Sequence, residues 1–308
     1  MKNTHFGIAL LAGTSLIWGL SLVAQSMGMD HVGPFTFNAV RFFIGGISLL
    51  PLFPLINYLQ GRSKKAEQEK ALPLLRDKLL LKAGFWCGLV LFAAISCQQV
   101  GIIYTTAGKT GFITSLYILL VPLFGLLFGR RISWRIWMCI GLAIAGMYLL
   151  CIKEALTLNK GDVFVLVCAV FSAAQILVID RYAPLVNAVK LASLQFFVCS
   201  GLSAMVAVIL EKPDIGAVLQ GWMPLLYTGV FSSSVAYSMQ IAGQKYVAPV
   251  LAALLLSLEA VFGALAGWWI LDEFLTRSER IGCLLIFVAI LAAQLPGRMS
   301  LPRARRKP

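Results

Sequence analysis

Charge is scarce in this chain. Only 13% of its 308 residues are Asp, Glu, Lys or Arg, about half the share of an ordinary soluble domain. Hydrophobic residues make up 59% and the mean hydropathy is +0.86. A fold in water cannot bury that much apolar surface, so the solvent around most of the chain is lipid. Histidine is scarcer still, with His5 and His31 the whole complement. The seven cysteines fall within or beside apolar runs without a CxxC pair. Neither a disulfide framework nor a zinc site is indicated, and the cysteines read as small buried hydrophobes. HExxH and a convincing Ser/His pair are also missing, which disfavours an intramembrane enzyme. The GKT of Gly108-Lys109-Thr110 is not a phosphate loop. GxxxxGK[ST] would need glycine at 103, where Ile103 stands, and no strand precedes it. No enzyme activity, cofactor or metal is expected.

What the sequence has in abundance is long apolar runs. Ten of them, at 6–28, 34–57, 81–102, 106–128, 133–152, 162–182, 188–210, 220–243, 247–271 and 277–296, are each near the length a spanning helix needs. The first run lacks a small-residue cleavage site and reads as a retained helix. The net charge of +13 would suggest nucleic acid in a soluble protein, but here it is first a topology signal. Nineteen Lys and Arg fall on the side of the two termini, seven of them in the connection around Gly61–Lys78, and five on the other side. Arg41 and Lys109 lie inside the apolar runs. The bias predicts a multi-pass protein of the cell membrane with both termini cytoplasmic, and no nucleic-acid partner. The basic clusters of 61–78 and the tail suit anionic lipid.

Sliding the chain along itself gives ordered matches. At a spacing of 154, Gly7 meets Gly161 and Arg41-Phe42-Phe43 meets Gln195-Phe196-Phe197. At 141, Gly88 meets Gly229, Gln99 meets Gln240 and Ile140-Gly141 meets Ile281-Gly282, while Tyr104 and Tyr246 are one residue out of step. Five helices therefore look duplicated, as 1–155 and 156–300, followed by a basic tail at 301–308. Five is odd, so the second copy would enter the bilayer from the opposite face. That arrangement characterises alternating-access carriers.

The segments YTTAGKTGFITSLYILLVPLFGLLFGRRIS (104–133) and KYVAPVLAALLLSLEAVFGALAGWWILDEFLT (245–276), with Trp18-Gly19 and Arg41-Phe42, resemble EamA-type proteins of the drug/metabolite transporter superfamily. The resemblance covers nearly the full chain. It implies an all-α polytopic membrane protein of ten transmembrane helices as two inverted five-helix repeats, with a cavity lined by helices 1–4 and 6–9. It also implies export of a small polar metabolite, an amino acid or relative. Efflux of organic cations is the rival within transport, and a membrane scaffold the rival outside it. The expected partners are a small-molecule substrate and the bilayer, with the protein a monomer or homodimer.

A charge at mid-bilayer costs about 2.5–3.5 kcal/mol on insertion scales, so each one calls for a partner or a purpose. Glu259 lies deepest, and could carry a proton, meet a cationic substrate group or pair with a buried base. Arg41, two turns into the second run, could hold an acidic group, pair with Glu259 or snorkel outward. Lys109 opens the fourth helix as a mouth or cavity charge. Gln98, Gln99, Gln175, Gln195, Tyr237 and Gln240 could line a wet cavity or join helices by hydrogen bonds. Gln98 and Gln99 point about 100° apart and cannot both face one cavity. Trp18, Trp86 and Trp222 are candidate aromatic walls or interface anchors. Glu259, Arg41, Lys109, Gln99, Gln240, Tyr237 and Trp18 form the candidate substrate or coupling set, with proton coupling and uniport both open.

Overall fold

A computed structural model describes residues 2–52, 77–105, 107–127, 129, 132–151, 159–270 and 276–295. Most of the basic connection 61–78, Arg130, Arg131 and the tail 301–308 lie outside the described residues, as does the stretch of the second run beyond 52.

The described chain is helical, with no strand among the described residues. In chain order the helices are α1 (Lys2–Gly28), α2 (Pro34–Leu49), α3 (Lys78–Ile102), α4 (Ala107–Ser115), α5 (Tyr117–Leu127), α6 (Trp134–Cys151), α7 (Lys160–Tyr182) and α8 (Ala188–Leu210). Then come α9 (Ile215–Gln220), α10 (Trp222–Tyr227), a π-helical segment (Thr228–Tyr237), α11 (Ser238–Gln244), α12 (Pro249–Leu256), α13 (Leu258–Ile270) and α14 (Arg277–Gln294). Five stretches, Asn3–Gly28, Lys78–Ile102, Lys109–Leu127, Lys160–Tyr182 and Ala188–Leu210, are long and apolar enough to cross a bilayer unaided. Taking α4–α5, α9–α11 and α12–α13 as interrupted rods gives the ten-helix fold of a polytopic membrane protein.

Three rods differ from the unbroken helices the sequence suggests. The fourth turns at Leu116, whose N–H reaches only back to Ile113. The ninth turns at Ser257, whose hydroxyl donates to the Leu254 carbonyl at 2.8 Å and competes with the helical ladder. The eighth widens into the π segment and is preceded by the short α9, which Asp214 caps where a loop is expected.

Helix ends are fixed by side chains that satisfy orphan backbone donors. Asn159 and Asp162 form a reciprocal capping box on α7, and Thr276 and Glu279 do the same on α14. Glu211, just past α8, reaches the start of α2. Its carboxylate accepts from the N–H groups of Phe35 (2.9 Å) and Thr36 (2.8 Å) and from the Thr36 hydroxyl (2.6 Å). An anion at a helix N-terminus also complements the macrodipole. Further along the same antiparallel pair, Ser200 donates to the Ala39 carbonyl, Ser193 to that of Gly46, and Phe42 stacks on Phe196 at 5.6 Å.

Close packing elsewhere rests on glycine. Gly161 of α7 lies against the Gly101 carbonyl and Tyr104, and Gly7 of α1 lies against the Gly243 carbonyl and Tyr246. A side chain at either would strike backbone. The two contacts are related by the spacings found in the sequence: 7 to 161 is 154, while 101 to 243 and 104 to 246 are both 142.

Candidate functional site

The rods surround a cavity of about 620 Å³ of empty space, open solvent included. On α1 its lining residues are Trp18, Leu22 and Gln25, which fall on one face at i, i+4 and i+7. Helix α7 contributes Ser172, Gln175 and Ile176, and α3 contributes Gln98. The two broken rods each present a residue just before and just after the break: Thr114 and Tyr117 around Leu116, Leu256 and Glu259 around Ser257. Each interruption thus brings polar groups to the cavity from within an apolar run.

The π segment does comparable work. Ser232 and Tyr237 both line the cavity, yet five residues in an α-helix would separate them by about 140°. The i→i+5 winding of a π-helix aligns them instead. The widened turn leaves carbonyls for other donors: the Trp18 indole N–H donates to Ser232 O at 3.1 Å and the Thr14 hydroxyl to Ala236 O at 3.1 Å. Ser21 donates to the Ser232 hydroxyl at 2.8 Å, and Tyr237 packs on Trp18 with centroids 4.7 Å apart. Gly88 and Gly229 are 141 residues apart, but Gln98 and Gln240, both lining the cavity, are 142 apart. The second half therefore carries one extra residue between Gly229 and Gln240, and the π winding absorbs it.

Two cavity groups carry charge chemistry. Arg41 is 2% exposed, with its guanidinium 4.6 Å from the Phe42 centroid and 5.5 Å from that of Phe37. Such stacking contributes about 0.5–2 kcal/mol. Its Nε and Nη2 have no hydrogen-bond partner among the described residues. Glu259, in the first turn of α13, is 7% exposed and faces the Ser115 and Tyr117 hydroxyls. Tyr117 itself has no hydrogen-bond partner among the described residues. The pairing of Arg41 with Glu259 that the sequence allows is not formed. Gln25 Oε1, Gln175 Nε2 and Gln240 Oε1 are likewise unmatched. The cavity thus offers a cation and several amide groups with unmatched atoms among the described residues, and a carboxyl with no ion-pair partner among them. Buried polar groups are rarely left so.

Of the seven candidates from sequence, Trp18, Arg41, Tyr237, Gln240 and Glu259 line this cavity. Gln99 and Lys109 are placed elsewhere. Gln98 takes the cavity-facing position, and Gln99, about 100° around α3, donates to the Gln25 carbonyl at 3.4 Å. Lys109 sits at one end of the bundle, bound to Asp162 at 2.6 Å. Trp86 and Trp222 are 45% and 56% exposed on the outside of the bundle. The sequence reading missed Gln25, Thr114, Tyr117, Ser172 and Ser232. Gln25 is a polar residue one helical repeat beyond Trp18, a signal that periodicity could have caught. The others depend on the breaks and the π winding.

The family model for EamA-like transporters matches residues 5–152 and again 159–293. The chain belongs to the EamA-like transporter family. This EamA protein is a membrane transporter. It is 34% identical over 299 residues to an uncharacterized transporter of Archaeoglobus fulgidus, spanning 94% of this chain and 85% of that protein. It is 22% identical over 290 residues to the uncharacterized transporter YoaV of Bacillus subtilis, spanning 91% and 94%. A crystal structure of a protein 19% identical to it superposes with a TM-score of 0.75 over 94% of this chain and 96% of that one, which speaks for the fold alone.

Proposed function

We propose that this EamA transporter is an alternating-access exporter of small polar metabolites, with amino acids and their relatives as the substrate class. The observation that carries the reading is the pair Arg41 and Glu259, buried on one cavity and bound to neither each other nor another charged side chain among the described residues. A zwitterion would satisfy both, its carboxylate on the Arg41 fork and its ammonium at Glu259. The unmatched amides of Gln25, Gln175 and Gln240 would bind the remaining polar groups.

The proposed motion is rocking of two inverted halves, 1–155 and 156–300, around the cavity. Its support is the constant spacing of cavity positions. Trp18 and Ser172, and Leu22 and Ile176, are 154 apart; Gln98 and Gln240, and Tyr117 and Glu259, are 142 apart. Proton coupling would pass through Glu259, and the charge bias would place both termini in the cytoplasm of a cell-membrane carrier. Efflux of organic cations is the weaker reading because Arg41 on the same cavity repels them.

The test is flux through proteoliposomes with labelled amino acids and quaternary ammonium cations, with and without a pH gradient. Amino-acid flux lost in folded Glu259→Gln supports the reading. Ammonium-cation flux with no amino-acid flux overturns the substrate class, and unaltered flux in Glu259→Gln removes that residue from the mechanism.

A further inference from the structure

One end of the bundle is tied by a carboxylate that the cavity does not use. Asp162 lies in the first turn of α7, its side chain 1% exposed. Its Oδ1 accepts from the Thr105 hydroxyl at 2.9 Å. Its Oδ2 accepts from Lys109 Nζ at 2.6 Å and from the Asn159 N–H at 2.9 Å. Thr105 lies in the connection after α3 and Lys109 in the first turns of α4, so one side chain joins α3, α4 and α7. Immediately beside it, Gly161 is packed on the Gly101 carbonyl, bringing α3 and α7 backbones together.

The same helices form the cavity wall farther in. Thr114 is five residues along α4 from Lys109, and Ser172 is ten residues along α7 from Asp162, about 7.5 and 15 Å at helical rise. A path from the cavity to this end between α4 and α7 therefore runs through the tie. At the equivalent position of the other half, 154 residues before Asp162, stands Ile8. There the Gly7–Gly243 contact is accompanied by Phe6 against Tyr246, centroids 6.2 Å apart, by Gln244 donating to the Ile176 carbonyl at 3.1 Å and by Lys245 donating to the Val186 carbonyl at 2.8 Å. Parting a buried ion pair is costly, because each charge gives up a partner held in low dielectric.

We infer that the Asp162–Lys109–Thr105 cluster is a latch that holds the α3/α4/α7 end of the transporter shut. The latch rests on the alternating-access reading. Under the charge-count orientation it closes the outer face. Each transport cycle must break it, and substrate in the cavity has to supply part of that free energy.

The experiment reads access to the cavity rather than activity. A cysteine at the cavity wall, Ser172→Cys, is labelled by a membrane-impermeant thiol reagent in right-side-out and inverted vesicles, against the same protein without that cysteine. Asp162→Asn and Lys109→Gln are expected to raise labelling severalfold from the latch end and not from the other. Thr105→Val, which removes one donor and keeps the ion pair, gives a smaller rise on the same face. The exchange Lys109→Asp with Asp162→Lys brings labelling back toward the parent rate. Unchanged labelling in folded variants overturns the latch, and so does an equal rise from both faces, which marks general loosening. One-sided labelling in a protein that moves no tested solute keeps the latch and removes the transport reading. Solute flux without one-sided labelling does the reverse.

Discussion

Asp162 and Glu259 are both buried carboxyl groups at the start of helices, and their surroundings differ completely. Asp162 has hydrogen-bond donors on both oxygens and a lysine at 2.6 Å. Glu259 faces a cavity with two hydroxyls near it and no ion-pair partner among the described residues. Burial of a charge is tolerable when every acceptor site is filled, and costly otherwise. A fully satisfied acid therefore holds structure together. An acid left short of partners on an open cavity is held ready for something that arrives.

That contrast can be broken by experiment. The largest effect should come from Asp162→Asn, which removes the carboxylate that Lys109 binds at 2.6 Å. Loss of one partner of a buried ion pair costs about 3–5 kcal/mol, read as a lowered unfolding midpoint in detergent. A midpoint equal to the parent would make Asp162 no more structural than Glu259. Next is Gly161→Ala, whose methyl would strike the Gly101 carbonyl and Tyr104. Overpacking of this kind costs about 1–3 kcal/mol, and an unaffected midpoint would mean that α3 and α7 are not in contact. Glu259→Gln should leave the midpoint near that of the parent and cut amino-acid flux at least tenfold, about 1.4 kcal/mol in transport terms. Stability falling with flux unharmed would reverse the comparison.

Two smaller changes sharpen it. Thr105→Val removes one hydrogen bond to Asp162 and should cost roughly 1 kcal/mol of stability. Gln98→Leu and Gln99→Leu form the finest test, since they are neighbours in sequence. Gln98→Leu should lower substrate affinity, because Gln98 lines the cavity, while Gln99→Leu should leave affinity unchanged. Equal effects on affinity would place the cavity wall differently.

Much of this was legible in the residues. Scarcity of charge and the length of the apolar runs require lipid and helices, since a backbone in hydrocarbon must satisfy its own hydrogen bonds. The family resemblance in 104–133 and 245–276 agrees with the family match over nearly the whole chain. Glu259, Arg41, Tyr237 and Gln240 drew notice because a polar group in an apolar run calls for a reason, Trp18 as a candidate aromatic wall, and all five line one cavity. Lys109 drew notice on the same ground, but its reason is Asp162, 53 residues away, and no local pattern names that partner. The sequence reading passed over Asp162; the Asn159-x-x-Asp162 capping pattern there fixes a helix start and is silent on what else the carboxylate binds.

The Gln98–Gln99 choice shows where sequence stops. Periodicity says that only one can face the cavity, and the repeat at a spacing of 141 selects Gln99. The extra residue wound into the π segment shifts the spacing to 142 and selects Gln98. The displaced match of Tyr104 with Tyr246 already carried that shift, but an insertion in a sequence does not say whether a loop or a helix absorbs it. Composition and periodicity by themselves determined the solvent, the helices and the stock of polar groups, because those follow from free energies of single residues and their nearest neighbours. Only the tertiary structure decided which polar groups are satisfied and which are left open. Satisfaction depends on donors and acceptors brought together from distant parts of the chain.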